Sequence, residues 1–282
     1  MGVKLQKATT NARRNMVIND REQVTAKKPT VKSLLVKKNK VTGRAKGTIS
    51  IRHRGGGTRI HYRKVDFSGL EKIGVPGTIA EIEYDPNRTA YLSLVNYKDG
   101  DKRYVLAHKG AKVGDTVITA DKEKAKDGNR MKLLNIPVGF PVFNIEFQPG
   151  KGGQIIRSAG GQAKLVSLDG DMAQIQLPSG ETRLFSKDCY ATIGVLSNEE
   201  KALEKIGKAG RVRNKGRRPQ VRGKAMNPND HPHGGGEGAS SIGMKYPKTP
   251  WGAHALGVKT RSKKNNSNKL ILVSRHRAKQ KS

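Results

Sequence analysis

Apolar and polar positions alternate along the middle of the chain, in short runs broken by turn residues. From Val75 the sequence reads V-P-G-T-I-A-E-I-E-Y, then the turn D-P-N-R, then T-A-Y-L-S-L-V-N-Y. A second turn, K-D-G-D-K, precedes R-Y-V-L-A, and V-G-D-T-V-I-T-A follows. Asp99-Gly100 between two such runs is a hairpin signal. Four or five short strands with regular turns predict a small barrel of the OB type over residues 60–127. The D-P-N-R turn sets Arg88 at an exposed loop tip.

The pattern then repeats. M-K-L-L-N-I-P-V-G and V-F-N-I-E-F lead into the loop Q-P-G-K-G-G-Q-I-I-R-S-A-G-G. After it come A-K-L-V-S-L, the turn D-G-D, A-Q-I-Q-L, the turn P-S-G-E, T-R-L-F and A-T-I-G-V-L. This predicts a second barrel, SH3-like in size, over residues 128–196. Alternation sets Ile175 and Leu177 on one face, with Gln174 and Gln176 on the other. Cys189 is assigned to this core.

Outside these two blocks alternation stops. Residues 1–59 carry one short apolar group, Val31, Leu34 and Leu35. Residues 197–282 open with Ser197-Asn198-Glu199-Glu200, a capping box predicting a short helix that Gly207 ends. From Arg222 to Gly243 the chain has two prolines, three consecutive glycines and few large apolar side chains. Neither helix nor strand fits it, and it is expected to take a fixed shape only against a partner. Near the end, Leu270–Val273 alone looks strand-like. The expected architecture is mainly β: an OB-like barrel followed by an SH3-like barrel, with an extended basic N-terminal arm and a long irregular C-terminal extension.

Charge changes the picture from fold to partner. The 282 residues hold 56 Lys and Arg against 23 Asp and Glu, a net charge of +33. Residues 1–64 carry 18 basic and 2 acidic side chains, residues 65–200 carry 17 and 18, and residues 201–282 carry 21 and 3. A near-neutral body between two cationic ends calls for a polyanion, of which nucleic acid is the commonest. No apolar run reaches the roughly 18 residues of a membrane span, and no long basic amphipathic helix is present, so a bilayer is not the expected partner. The basic amino terminus reads either as an organellar targeting segment or as an RNA-binding arm. One cysteine permits no internal disulfide and fits a reducing compartment. Aromatics make up 5% of the chain, so base stacking on a sheet of Phe and Tyr is not the expected binding mode.

Three stretches carry candidate chemistry. In I-R-H-R-G-G-G-T-R-I-H-Y-R-K, Gly55, Gly56 and Gly57 sit among Arg52, Arg54, Arg59 and Arg63. Glycine lets a backbone approach phosphates closely while arginine binds them bidentately. No G-x-x-x-x-G-K-[ST] occurs, so this is no nucleotide P-loop. The loop Gly150–Gly161, with Lys151 and Arg157, is either a phosphate clamp or a structural loop. Asp230, His231, His233 and Glu237 could form a metal or acid–base cluster. Pro232 between the histidines is expected to splay their rings, and the loop offers no rigid scaffold. A metal-dependent enzyme acting on nucleic acid and a free-standing basic packaging protein are the competing classes. The first should cluster carboxylates around the histidines, where only Asp230 and Glu237 are near against 21 basic residues in the same third, and the second needs no near-neutral barrels.

The motifs Y-D-P-N-R, P-G-K-G-G-Q, R-S-A-G, V-R-G-x-A-M-N-P-x-D-H-P-H-G-G-G-E-G and T-P-W-G closely resemble the second protein of the large ribosomal subunit. The resemblance runs from about Thr9 to Lys264, and both ends depart from the family pattern. It implies a non-enzymatic protein that binds large-subunit rRNA near the peptidyl-transferase region and supports assembly, tRNA binding and subunit association. The implied partners are that rRNA, neighbouring ribosomal proteins and the small subunit at the interface, with no membrane and no homo-oligomer. The implied location is a ribosome, cytoplasmic or organellar. No cofactor is implied beyond structural Mg2+ shared with rRNA. The family's RNA-binding arginines correspond to Arg88 and Arg157, and the histidine tied to peptidyl transfer corresponds to His231. With the basic and glycine positions already named, the C-terminal extension adds Arg213, Arg217, Arg218, Arg222, Lys224, Asn227, His233, Gly234, Gly235, Gly236, Trp251, Arg261, Lys263 and Lys264 to the candidate rRNA contacts.

Overall fold

The computed structural model describes residues 2–38 and 42–278. Its first strands lie where alternation was absent. β1 (Val3–Leu5) pairs antiparallel with β2 (Val17–Asn19), and β3 (Leu35–Lys37) pairs with β6 (His61–Arg63). β4 (Arg44–Ala45) and β5 (Thr48–Ile49) form a separate two-stranded hairpin. The arm expected over residues 1–59 is therefore divided. Residues 1–39 cluster with residues 59–208 and 269–282 in one unit, and residues 40–58 cluster with 209–268 in another. Three strands of three residues are too short to betray a period in the sequence. Met16 and Asn19 are nonetheless buried.

The first barrel is built on β7 (Gly77–Glu83), β8 (Leu92–Tyr97), β9 (Lys102–Leu106) and β10 (Thr116–Val117), in the sheet order β10-β7-β8-β9. The Asp99-Gly100 hairpin joins β8 to β9 as expected, with Gly100 at φ +86°. β8 is covered on both faces, which explains why both of its alternating sets of residues include apolar side chains. Tyr91, Val95 and Tyr97 enter one core with Ile79, Ile82 and Val117. Leu92 and Leu94 enter a second core with Tyr104, Phe143 and Leu196.

Phe143 belongs to the second barrel, so the two barrels share that second core. β11 (Arg130–Lys132), β12 (Pro141–Phe143), β13 (Ala163–Asp169), β14 (Met172–Gln176), β15 (Thr182–Ser186) and β16 (Tyr190–Ile193) form its sheet. β17 (Ile271–Val273), from the tail, completes it in the order β11-β16-β12-β13-β14-β15-β17. Ile175 is fully buried and Leu177 packs against the same core, while Gln176 is exposed, as the alternation requires. Cys189 is buried in that core, and burial pushes its thiol up to about 11.

One helix expectation is corrected. Ser197 does not cap a helix; its hydroxyl accepts the Tyr91 amide at 3.1 Å inside the barrel. Asn198 takes a left-handed conformation and gives its side chain to Thr89 and Asn19, leaving only a 3-10 segment at Glu199–Leu203. Buried partners outcompete a cap worth about 1 kcal/mol. The stretch around the histidines is also more ordered than expected, with backbone bonds such as His231 N to Asn227 O and Gly235 N to Met226 O.

Candidate nucleic-acid interface

Two arginines 69 positions apart meet on one aromatic ring. Asp66 starts the arrangement. Its carboxylate accepts the amides of Ser68 at 2.9 Å and Gly69 at 2.8 Å and pairs with Arg103 at 3.0 Å. Burial opposes its ionisation, but the Gly69 amide, Arg103 and Ser68 together hold the carboxyl below the usual range. This tight turn fixes Phe67. The Phe67 carbonyl accepts the Gly153 amide at 2.8 Å, tying the first barrel to the Gly150–Gly161 loop of the second.

Arg88 reaches Phe67 from the D-P-N-R turn, with its guanidinium 5.5 Å from the ring centre and 5.8 Å from that of Tyr62. The turn is held by buried Asp85, which accepts from the Asn87 amide at 2.9 Å and from Arg88 Nε at 2.6 Å. Arg88 is thus not a free tip. Its side chain is 13% exposed and its charge is already countered. Arg157 reaches the same ring from the loop, at 4.4 Å, and donates to the Gly153 carbonyl at 3.2 Å. It is exposed, and no ion pair holds it among the described residues. Phe67 and Tyr62 carry no signature in the sequence, because an isolated aromatic in or beside a three-residue strand shows no period.

The loop itself is not a backbone clamp for phosphate. Glu146, fully buried, accepts the amides of Gly152 at 3.1 Å, Gly150 at 3.2 Å and Tyr190 at 3.2 Å, and pairs with Arg130 at 3.0 Å. A carboxylate of the protein holds the place an external anion would take. Glycine at 153 is needed for space: a Cβ there would lie 2.0 Å from Asn144 Oδ1. Lys151 and Arg157 remain exposed on the outside of the loop. Arg63 is corrected as well. It is buried, with Nε 3.0 Å from Glu83 and Nη1 3.6 Å from Asp85, so its charge is neutralised inside the barrel and does not face a ligand. Arg59 is exposed.

The second unit contrasts sharply in charge. Its sequence holds 18 Lys and Arg against 2 acidic residues, and no ion pair forms within it among the described residues. Arg52, Arg54, Arg213, Arg217, Arg218, Arg222, Lys224, Lys263 and Lys264 are all exposed. So are Asn227, Gly236 and Arg261, the last held by the side chains of Asn268 and Ser267. Trp251 is 80% exposed with Arg52 at 5.5 Å from its ring.

The histidine rings do not splay. Their centres are 4.7 Å apart, tilted by 58°. His231 is buried over Gly223, and its Nδ1 accepts the His233 amide at 3.0 Å. His233 Nε2 accepts the Lys248 amide at 2.8 Å. Each neutral ring therefore carries its proton on the other nitrogen, His231 on Nε2 and His233 on Nδ1. Proline turns the chain back so that backbone amides, rather than a metal, claim one lone pair of each ring. Gly234 and Gly235 line the same turn, where a Cβ on Gly234 would lie 2.2 Å from the Asn227 carbonyl.

A near-neutral pair of barrels with a shared core, joined to an unneutralised cationic module, defines a class: a mainly β protein that assembles with a polyanion. Residues 31–119 match the model of the ribosomal protein L2 RNA-binding N-terminal domain, and residues 126–252 match that of the L2 C-terminal domain. The chain belongs to the ribosomal protein L2 family, structural RNA-binding proteins of the large ribosomal subunit. The paired OB-like and SH3-like barrels agree with that membership.

Proposed function

We propose that this chain anchors large-subunit rRNA near the peptidyl-transferase region, where it supports subunit assembly, tRNA binding and association with the small subunit. The observation that carries the reading is the convergence of Arg88 and Arg157 on Phe67. The two arginines come from different barrels, so one RNA backbone laid across Phe67 touches both. Arg88 is oriented by Asp85, while Arg157 supplies the uncompensated charge. The second unit adds phosphate contacts without ion pairs to break first. Binding is electrostatic and shape-based, with base edges playing little part.

His231 fits as a positioning residue against RNA: its ring is buried and its Nε2–H is left to donate. No catalytic role is assigned, and no protein cofactor. Structural Mg2+ shared with rRNA phosphates suits a module whose only carboxylates, Asp230 and Glu237, are exposed. Neighbouring ribosomal proteins complete the surroundings, in a cytoplasmic or organellar ribosome, and the chain acts as one copy.

Arg157→Ala is expected to weaken binding to a large-subunit rRNA fragment roughly tenfold, about 1.4 kcal/mol. Lys98→Ala, which removes an exposed charge elsewhere on the first barrel, should change it less than twofold. Filter binding with the full chain checks both, and equal affinities for wild type and Arg157→Ala would overturn the role of Phe67 as a platform.

A further inference from the structure

The two cationic segments, far apart in sequence, are paired to each other in the second unit. Arg54 and Arg217 face one another across an antiparallel bridge. Around it Gly55 N donates to Gly216 O at 3.1 Å, Thr58 N to Asn214 O at 2.8 Å and Arg218 N to His53 O at 3.1 Å. Like charges set directly opposite are unfavourable, and no carboxylate relieves them among the described residues. Such a pairing is stable in company with an anion.

Two clefts flank the bridge, and Arg218 lines both. One, of about 340 Å³, is walled by Gly55–Thr58, Arg213 and Asn214. It contains no apolar side chain larger than a threonine methyl, and its lining is backbone, amide and guanidinium. A phosphodiester needs no apolar surface, only N–H groups and guanidinium. The other, of about 370 Å³, is bordered by Ile49, Ile51 and Pro219 beside Arg44 and Arg54. Ile49 is 65% exposed and Ile51 53%, so both present apolar surface at the mouth of this cleft. The polar cleft suits a phosphate, the apolar one a flat ring, and Arg218 lines both.

We infer that the two arms together form a site for single-stranded RNA, holding a phosphate in the glycine cleft and an unpaired base against Ile49, Ile51 and Pro219. The inference rests on the RNA-binding reading above and narrows it to unpaired nucleotides. A duplex keeps its bases stacked inside and offers the apolar cleft nothing. An acidic peptide would meet the arginines but leave the glycine cleft unfilled.

The test measures affinity of the full-length protein for a labelled uridine octanucleotide, for an eight-base-pair RNA duplex and for a large-subunit rRNA fragment, at one salt concentration. Arg218→Ala is expected to weaken octanucleotide binding about tenfold. Ile51→Ser is expected to weaken it about threefold and leave the duplex unchanged, since it removes no charge and the residue is exposed. Arg218→Ala within twofold of wild type overturns the site, as does an equal loss on both RNAs for Ile51→Ser. Polyglutamate competing as well as an octanucleotide of equal charge overturns the choice of RNA. The rRNA fragment separates the two levels. Normal binding that falls with Arg157→Ala but not with Arg218→Ala defeats only this inference; no binding by the wild type defeats the functional reading beneath it.

Discussion

Replacing Glu146 with alanine is expected to destabilise the second barrel by about 3–5 kcal/mol, the range for removing one partner of a buried ion pair. Arg130 is buried beside it, and burial pushes its guanidinium below the usual range against the pull of Glu146. Without the carboxylate that cation is stranded. Three amides, those of Gly150, Gly152 and Tyr190, lose their acceptor in the same step. Each orphaned buried group costs on the order of 1–3 kcal/mol unless water reaches it. Against a total stability of about 5–15 kcal/mol, the variant is close to unfolding. Urea unfolding followed by circular dichroism measures the loss. A shift below about 1 kcal/mol would show that the loop holds itself. RNA binding should fall in parallel, because the Gly150–Gly161 loop carries Arg157. Glu146 then acts on RNA without touching it.

The second large effect is on salt. The affinity of the full chain for large-subunit rRNA is expected to fall by about 10³–10⁵ between 50 and 200 mM salt, the behaviour of proteins making roughly six to ten phosphate contacts. The cations of the second unit make no ion pairs among the described residues, so nearly all their charge is free to displace counterions. In the barrels, by contrast, Arg63, Arg88, Arg103 and Arg130 are already matched by carboxylates. Titrating binding against salt gives the slope directly, and Arg157→Ala should reduce it by about one. A slope corresponding to one or two contacts would mean the second unit stays off the RNA. In cell extracts the same property predicts co-sedimentation with large subunits until salt is high.

Both barrels were legible in the sequence because their strands alternate or run apolar, and because Asp99-Gly100 and Asp169-Gly170 punctuate them. What was hidden required contacts between distant segments. Nothing local in V-D-F-S-G says that Phe67 will carry arginines from positions 88 and 157. The Ser197 box had the right spacing for a cap, yet a buried amide of Tyr91 claimed its hydroxyl. Arg63 and Arg157 look alike in sequence, and only Glu83 and Asp85 make the first one internal. The pairing of residues 53–58 with 214–219 left no trace either, because glycine and arginine can hydrogen-bond through the backbone without showing any apolar period. His231 and His233 needed the turn at Pro232 to bring their rings together.

The strand that the tail lends to the second barrel bears on how the protein can be cut. Ile271–Val273 lies beyond the 126–252 span of the C-terminal domain match, yet it pairs with Thr182 and Arg183. A fragment ended at residue 252 therefore leaves the Thr182–Ser186 edge with bare amides and carbonyls, beside exposed Phe147. Open edges of that kind recruit strands from other molecules. Light scattering should show the fragment self-associating while one ended at residue 278 stays monodisperse; two monodisperse fragments would show that the edge is guarded without its tail.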